Sequence, residues 1–323
     1  MPLRVAVQMD PLRAIRVRGD TSFALMLEAQ RRKHKIFAYH PNSLALIAGG
    51  KLTAYGDWVV PHDVGDKPGD KGEGKHFTID KSEWVNLAEV DVVLMRQDPP
   101  FDMHYITATH LLETIADKTL VVNDPRGVRN APEKIVVATR FAHLLPPTLI
   151  SRDPRAIAEF RATHGAIIIK PLYGSGGAGV FLLKEGDGNV TSVVETLLAV
   201  DRSPLMIQRY LAEIKHGDKR IIMLDGKPIA ALNRLPAKGE VRANLHVGGQ
   251  EAHAELDEAD LRITAAIGDF LVDEGLLLCG IDVIGGYLTE INNTSPTGLR
   301  EIKALTKIDH TKQIWDVIEA KIK

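Results

Sequence analysis

The sequence predicts a protein of α/β and α+β class, with an open, mainly parallel α/β domain at the N-terminus and a two-part module after it. Two patterns support this prediction. Apolar strands alternate with helices as far as Asn123, whereas beyond Asn130 the strands outnumber the helices and follow one another like hairpins. With 323 residues, of which 45% are hydrophobic, the chain is long enough for two or three compact units.

The N-terminal domain begins with an apolar strand at residues 3–9, which Asp10-Pro11 ends. Asp20 is placed to cap the next helix, because apolar residues recur after it at helical spacing and basic residues fill the last turn. The elements then predicted are strands and turns at 35–39 and 43–58, a polar surface loop at 61–75, a buried strand at 90–95, a helix at 106–116 and a strand at 119–123. Such sheets bind ligands at the carboxyl ends of their strands.

The second part opens with Asn130, which we expect to cap a helix that runs through Pro132 and Glu133 to Leu145. The elements predicted after it are strands at 148–151, 166–171, 180–184 and 205–210, and helices at 154–163 and 194–200. A hairpin at 219–232 that turns at Asp225-Gly226, a loop at 234–249 and an amphipathic helix at 257–274 follow.

The stretch at residues 276–300 carries the most informative polar pattern. Its apolar runs at 276–284 and 287–291 flank Gly285-Gly286, which predicts a β-hairpin. Acids interrupt both runs, although a half-exposed strand would also show alternating polar positions. The acids therefore suggest a ligand site without excluding a solvated sheet face.

The geometry of this hairpin decides which of its acids meet. Glu290 and Asn292 are two residues apart and must share one face of their strand. A two-residue loop would pair Asp282 with Thr289, whereas a three-residue loop, 285–287, with a glycine bulge would place Asp282 opposite Glu290. We predict the three-residue loop. It would gather two carboxylates and an amide oxygen, which suit Mg²⁺ better than zinc.

A glycine-rich segment follows Lys170, with the sequence KPLYGSGGAGV. Gly174, Gly176 and Gly179 match a dinucleotide fingerprint, but that fingerprint must open a helix, and the residues after it are strand-like. The segment also lacks the Gly-Lys-Ser/Thr of a P-loop. A glycine loop between two strands can present N–H groups to phosphate oxygens, with Lys170 beside them, although a plain hairpin turn would have the same composition.

Composition excludes several classes of function. A net charge of -2, from 40 basic and 42 acidic residues, gives no field that would attract nucleic acid or an anionic membrane. The N-terminus lacks a signal-peptide pattern and no apolar run approaches ~20 residues, so we expect a cytoplasmic protein. The single cysteine, Cys279, lies in an apolar run and is expected to be a buried thiol.

A series of ordered motifs spans nearly the whole chain. They are VQMDP, SFALMLEAQRR, LMRQDPPFD, VVNDPRGVRNAPEK, IIIKPLYGSGGAGVF, IKHGDKRIIMLDGKPI, RLP, EVRANLHVGG and GIDVIGGYLTEINNTSPTGLREI. Together they resemble the prokaryotic glutathione synthetase family of the ATP-grasp superfamily. The resemblance implies a substrate-binding pre-ATP-grasp domain at residues 1–123, a central ATP-grasp lid subdomain at 124–204 and a C-terminal ATP-grasp subdomain with the metal site at 205–323.

The resemblance also implies an activity. An ADP-forming carbon–nitrogen ligase would join γ-glutamylcysteine to glycine through an acyl phosphate, with ATP as co-substrate and Mg²⁺, or Mn²⁺ as the alternative, as the metal. The family implies a homo-oligomer such as a tetramer. Because a carboxylate becomes a good acyl donor only once it is phosphorylated, such a site needs positioned positive charge more than a nucleophile.

Site residues are implied position by position. The ATP-binding residues would be Lys134, Lys170, Gly174, Gly176 and Gly177 at the phosphates, Gln208, Arg209, Tyr210 and Leu211 beside the adenine, and Asp218 at the ribose. The metal ligands would be Asp282, Glu290 and Asn292. The catalytic residues would be Arg220, facing a phosphate or the reacting carboxylate, with Arg234 and Asn244 in a second closing loop, 236–249. The substrate-binding residues would be Asp10, Ser22, Arg96, Asp98, Ser295, Pro296 and Thr297.

One departure from the family pattern lies in the glycine loop. Many relatives have KPLDGMGG where this chain has KPLYGSGG, so Tyr173 and Ser175 replace an acid and a methionine. The phosphate-facing glycines are kept. Two other functions stay open at this point: an ATP-grasp ligase for other amino acids, such as D-alanine, and a nucleotide-binding regulator without turnover. The second would be expected to lack lysines or metal ligands, which are all present here.

Overall fold

The computed structural model describes residues 1–63, 75–237, 239–240, 242–243 and 249–322. Within these residues the chain forms three β-sheets and nine α-helices. In the same residues no helix is both long and apolar enough to cross a membrane. The predicted loop at 61–75 lies mostly outside the described residues, as does Asn244 of the predicted second loop.

The first sheet belongs to the N-terminal part of the chain. Its strands are β1 (Arg4–Gln8), β2 (Lys35–Tyr39), β3 (Leu44–Leu46), β4 (Leu52–Pro61), β5 (Phe77–Asn86), β6 (Val92–Met95) and β7 (Leu120–Val122). Strands β2, β1, β6 and β7 are parallel neighbours, and β3, β4 and β5 extend the sheet through antiparallel pairs. The predicted α/β class is confirmed. Strand β5 escaped prediction because most of its residues are exposed and show no apolar alternation.

Helices α1 (Thr21–Arg31) and α2 (Met103–Glu113) accompany this sheet. The Asp20 side chain accepts a hydrogen bond from the Phe23 amide at 2.6 Å, so the predicted cap of α1 is confirmed. Helix α2 begins three residues before the predicted start, because Asp102 caps it through the Tyr105 amide at 2.9 Å.

The segment after β7 differs from its prediction. Asp124 caps a short helix, α3 (Pro125–Asn130), through the Arg126 amide at 2.8 Å, so Asn130 ends a helix instead of capping one. The helix predicted through Leu145 is reduced to α4 (Ile135–Arg140) and one 3-10 turn. Asp124-Pro125 is itself a helix start signal, so a helix begins upstream of the predicted one.

The second sheet is antiparallel and follows the predicted elements closely. Its strands are β8 (Thr148–Ser151), β9 (Ile167–Pro171), β10 (Phe181–Leu183) and β11 (Leu205–Arg209), and its helices are α5 (Pro154–His164) and α6 (Val190–Val200). The strand order is β10-β9-β11-β8. Because β11 pairs with β8 and β9, this sheet reaches Arg209, five residues past the predicted boundary at 204/205. The domain boundaries themselves stay a prediction.

The third sheet is also antiparallel. Its strands are β12 (Asp218–Leu224), β13 (Lys227–Leu235), β14 (Gln250–His253), β15 (Leu278–Ile284) and β16 (Tyr287–Asn292), and its helices are α7 (Glu258–Asp273), α8 (Leu299–Thr306) and α9 (Thr311–Lys321). The strand order is β14-β13-β12-β15-β16. The predicted turn at Asp225-Gly226 is confirmed, and both residues have positive φ. Strand β13 extends to Leu235, so Arg234 lies in a strand and not in the predicted loop.

The hairpin of β15 and β16 corrects its predicted turn. Only Gly285-Gly286 form the loop, with φ of 57° and 79°, as a two-residue type I′ turn requires. The predicted three-residue loop ending at Tyr287 is therefore wrong. A bulge in β16 adds Thr289 as an extra residue, and Asp282 consequently still pairs with Glu290.

The last two helices, which were not predicted, return to the N-terminal domain. The Trp315 side chain of α9 is fully buried, and its indole N–H donates to the Leu25 carbonyl of α1 at 2.8 Å. Arg32, directly after α1, forms ion pairs with Asp316 at 2.7 Å and Glu319 at 3.0 Å. The first and last helices therefore share one hydrophobic core.

Candidate active site

A cavity of about 930 Å³ lies where the three sheets meet. Turns after β1 and β6, the glycine loop between β9 and β10, the end of β11, and strands β12, β13, β15 and β16 all line it. Every residue that the sequence resemblance assigned to the site lines this cavity, apart from Asn244, which lies outside the described residues. The fold thus brings together residues that are separated by up to 287 positions.

The three predicted metal ligands lie on one face of the β15–β16 hairpin. Asp282 faces Glu290 directly, and Gly280 faces Asn292. The Asn292 amide nitrogen lies 3.3 Å from Asp282 Oδ2. The set consists of two carboxylates and an amide, all oxygen donors of the kind that Mg²⁺ takes. The residues present therefore fit a hard divalent cation.

Two lysines surround the Glu290 carboxylate. The ammonium nitrogen of Lys170 lies 3.0 Å from Glu290 Oε1, and that of Lys134 lies 3.6 Å from the same oxygen. Burial opposes ionisation of Glu290, but the charges of Lys134 and Lys170 outweigh it and lower its pKa. Both lysines are more than 90% buried, so their charges act in a medium that screens them weakly.

Two arginines hold the other carboxylates. Arg220 donates to both oxygens of Asp282, at 2.5 and 3.1 Å, and Arg234 bridges Asp282 at 3.0 Å to Asp218 at 2.6 Å. Burial opposes ionisation of Asp282, yet the charges of Arg220 and Arg234 lower its pKa. Burial instead raises the pKa of Asp218 to about 6, despite Arg234. Oδ1 of Asp218 is buried and accepts no hydrogen bond from any described residue.

The glycine loop connects β9 to β10 and has no helix after it, as the sequence indicated. Gly176 and Gly177 have φ of 63° and 80°, which residues with a side chain rarely adopt. Lys134 donates to the Gly174 carbonyl at 2.7 Å. Tyr173, one of the two departures from the family pattern, stacks on Phe101 of the N-terminal domain with ring centroids 6.1 Å apart. This stacking attaches the loop to the first domain.

A second loop contacts the glycine loop. Arg242 donates to the Gly177 carbonyl at 3.3 Å and pairs with Glu240 at 2.6 Å. The two segments that were predicted to close over the reaction therefore meet at this arginine.

One end of the cavity is bordered by the end of β11, with Gln208, Arg209, Tyr210 and Leu211. Gln208 is fixed by a 3.0 Å hydrogen bond to Thr148, and Arg209 lies over the Tyr287 ring at 5.9 Å.

The opposite end contains the predicted substrate residues. Arg96 is buried and donates to Ser22 at 3.1 Å and to the Pro296 carbonyl at 2.9 Å. Ser295 donates to Asp98, whose amide donates to Asp10 at 3.0 Å. Hydrogen bonds thus join the N-terminal turns to the turn that contains Ser295, Pro296 and Thr297.

Sequence reasoning gave no site role to four acids that line the cavity: Asp20, Glu133, Glu251 and Glu301. Glu133, expected in the first turn of a helix, is a cavity residue that accepts from Thr294 at 3.0 Å, and burial raises its pKa. Its position beside Lys134 was the available signal. Glu301 lies in α8, where no helix was predicted, and it belongs to the motif GIDVIGGYLTEINNTSPTGLREI, although the resemblance assigned it no role.

Comparison with known proteins identifies similar chains. Residues 3–129 match the family model described as prokaryotic glutathione synthetase, N-terminal domain, and residues 133–307 match its ATP-grasp domain. The chain is 50% identical to a glutathione synthetase of Mesorhizobium japonicum, with 100% of both chains covered. It is 51% identical to that of Rhodopseudomonas palustris, with 99% of both covered, and 42% identical to that of Vibrio cholerae, with 99% and 98% covered.

Solved structures show the same fold at low sequence identity. A D-cycloserine synthetase superposes with a TM-score of 0.67 at 16% identity, with 99% of this chain and 100% of the other covered. The ATP-grasp ligase PsnB, complexed with a minimal precursor, gives 0.63 at 18% identity, with full coverage of both chains. The D-alanine–D-alanine ligase of Bacillus anthracis gives 0.59 at 14%, with 98% and 96% covered. These likenesses support the ATP-grasp architecture alone.

Proposed function

We propose which part of the cavity binds each substrate, given that the chain belongs to the prokaryotic glutathione synthetase family and is an ATP-dependent ligase that forms glutathione. ATP lies with its adenine against Gln208, Arg209, Tyr210 and Leu211 and its phosphates between Lys134, Lys170 and the glycine loop. γ-Glutamylcysteine and glycine occupy the end near Arg96. The observation that supports this arrangement best is the convergence of two lysines and two arginines on Glu290 and Asp282.

The proposed metal is Mg²⁺, held by Asp282, Glu290 and Asn292, and Mn²⁺ is the alternative. Such an ion neutralises negative charge on the phosphates of ATP. Asp282 can ligate an ion through Oδ1, which accepts one hydrogen bond, from Arg220, whereas Oδ2 is held by both arginines.

The cationic side chains supply most of the catalysis that the chain itself can provide. Transfer of the γ-phosphoryl group to the cysteinyl carboxylate, and attack of the amine on the resulting acyl phosphate, both develop negative charge on oxygen. Lys134, Lys170, Arg220 and Arg234 are already fixed by hydrogen bonds and ion pairs, so they stabilise that charge with little reorganisation. Losing one such contact typically costs about 3 kcal/mol of transition-state stabilisation.

Asp218 is proposed to bind the ribose. Its buried Oδ1 has no described donor, and a ribose hydroxyl would provide one. The glycine loop and the segment 236–249, with Asn244, are proposed to close over the reaction and shield the acyl phosphate from water. The contact of Arg242 with Gly177 supports a joint movement of these segments.

Asp10, Ser22, Arg96, Asp98, Ser295, Pro296 and Thr297 are proposed to bind γ-glutamylcysteine and glycine. Their support is the hydrogen-bond chain that runs between the N-terminal turns and the Ser295 turn. A homo-oligomer and a cytoplasmic location stay predictions.

The function is tested by ADP release from Mg·ATP. We expect ADP only when γ-glutamylcysteine and glycine are both present, with an equal amount of tripeptide. Each substrate alone and D-alanine in place of glycine are the controls. Turnover with another amino acid but not with glycine would replace the proposed acceptor, and no turnover with any pair would contradict the ligase.

A further inference from the structure

Glu301 is a carboxylate in the cavity to which the proposed arrangement gives no role. It lies in the first turn of α8, and its Oε2 atom is buried and accepts no hydrogen bond from any described residue. Buried carboxylate oxygens are almost always paired, because an unpaired one loses its hydration without compensation. Because Glu301 also lines the substrate cavity, its unpaired oxygen indicates a partner among the cationic or N–H-donating groups of the substrates.

A glycine lies directly against the Glu301 carboxylate. A Cβ atom built on Gly19, in the N-terminal domain, would lie 2.9 Å from Glu301 Oε1. A side chain at this position would have to displace the carboxylate. The turn that precedes α1 therefore packs closely on Glu301 Oε1, the oxygen that is not the unpaired one.

Charged groups from each neighbouring element act on this carboxylate. Arg220 of β12 and Arg300 of α8 attract its negative charge, whereas Glu251 of β14 repels it. Arg220 donates to Asp282 and to the Thr297 carbonyl, and Arg300 donates to the Arg18 carbonyl at 3.1 Å. Burial, the largest influence, raises the pKa of Glu301 to about 7.

The substrates identify the missing partner. Glycine brings a carboxylate and an ammonium group, and this end of the cavity offers Arg18, Arg220 and Arg300 for the first and Glu301 for the second. γ-Glutamylcysteine also carries an ammonium group, but Glu301 lies within the electrostatic influence of Arg220, which donates to Asp282 at the reaction centre and to the Thr297 carbonyl. The attacking amine must reach that centre.

We propose that Glu301 is a substrate-binding residue that holds the ammonium group of the acceptor amino acid, glycine, in the cavity. This inference rests on the proposed function and adds a specificity residue to it. Glu301 selects acceptors that carry a charged amine.

The test compares Glu301→Gln and Glu301→Asp with wild-type enzyme, and Glu251→Gln serves as the matched control because it removes an exposed carboxylate at the same end of the cavity. We expect Glu301→Gln to raise the KM for glycine about 10- to 100-fold, the range for losing a hydrogen bond to a charged group. The KM values for ATP and γ-glutamylcysteine should stay within about twofold, and Glu301→Asp should retain part of the glycine affinity.

Two further readouts separate binding of the amine from a structural role. Hydroxylamine is largely uncharged near neutral pH, so its use as acceptor should be affected much less than that of glycine. In the wild-type enzyme the KM for glycine should rise as the pH falls through about 7, because Glu301 becomes protonated, and Glu301→Gln should lose this dependence.

An unchanged glycine KM in Glu301→Gln would overturn the inference. So would an equal rise in all three KM values, or a rise for γ-glutamylcysteine alone, since the first points to a structural role and the second to the other ammonium group. If wild-type enzyme makes no tripeptide, the proposed function fails; if wild type makes it and the variant keeps its glycine KM, only this inference fails.

Discussion

Asp282 lies directly opposite Glu290 across the β15–β16 hairpin, and the extra residue Thr289 in β16 brings the two carboxylates into register. Without this bulge, the two-residue glycine turn would pair Asp282 with Thr289 and leave Glu290 one position away. The hairpin therefore uses a local irregularity to assemble the candidate cation site.

Asn292→Ala is the cleanest test of that cation site. Among the described residues the Asn292 side chain donates to the Gly280 carbonyl and to Asp282, so its removal leaves the lysines and arginines paired. We expect the Mg²⁺ concentration for half-maximal activity to rise about tenfold, in line with losses around metal sites. Asn233→Ala, at an amide that donates to the His216 carbonyl, should leave Mg²⁺ dependence unchanged. Identical Mg²⁺ curves for wild type and Asn292→Ala would remove this residue from the site.

Asp282→Asn is expected to affect stability as well as activity. The change leaves Arg220 and Arg234 buried with too little negative charge, because Asp282 accepts from both. Breaking such a pair costs roughly 3 kcal/mol or more of unfolding free energy. Chemical denaturation should show this loss, whereas Asp316→Asn at a largely exposed ion pair should cost less than about 1 kcal/mol. Wild-type stability in Asp282→Asn would contradict the charge-compensation account.

Lys170→Met tests the phosphate end of the site. It removes one buried ammonium beside Glu290 while keeping much of the side-chain volume. We expect kcat to fall about 100-fold, as for the loss of one fixed charge contact in a transition state. Lys184→Met changes an exposed lysine beyond the same glycine loop and should leave kcat unaltered. A Lys170→Met enzyme with normal kcat would assign the lysine to structure alone.

Asp309 gives a pH-dependent prediction for the C-terminal helices. Burial opposes its ionisation, but hydrogen bonds from Lys303 and Thr311 lower its pKa to about 2. Since this pKa lies below the unfolded value of about 4, the stabilisation is present above pH 4 and is lost as the pH falls toward 2. Asp309→Asn should therefore lower Tm at pH 7, and the difference from wild type should close in that acid range. Asp269→Asn, on the exposed side of α7, is the control, and a Tm difference that persists at pH 2 would contradict the prediction.

The sequence predicted the fold wherever apolar runs alone determine a strand. Strands β2 and β8 match their predicted limits to the residue, because each is a short apolar run bounded by turn residues. Strand β5 and helices α8 and α9 were missed for different reasons. The first is a mostly exposed edge strand without alternation, and the helices lie within residues 299–321, for which no element was predicted.

The candidate site was predicted through resemblance more than through local pattern. Spacing placed Glu290 and Asn292 on one face, but no local rule pairs Arg220 with Asp282 or Arg234 with Asp218, since both contacts depend on strand registers set by the whole sheet. Glu301 was even less predictable from local pattern. Its Oε2 atom accepts no hydrogen bond from any described residue, and this can be recognised only once the surrounding residues are known.

The contact between α9 and α1 limits how far the N-terminal domain can fold while the chain is being synthesised. The ribosome releases the residues around Leu25 early, whereas Trp315, which packs on them, is synthesised 290 residues later. The N-terminal domain cannot complete its core until Trp315 has been synthesised, although domains generally fold as units from the N-terminus. Truncated chains that end near residue 307, where the family match ends, would leave this core exposed and open to aggregation.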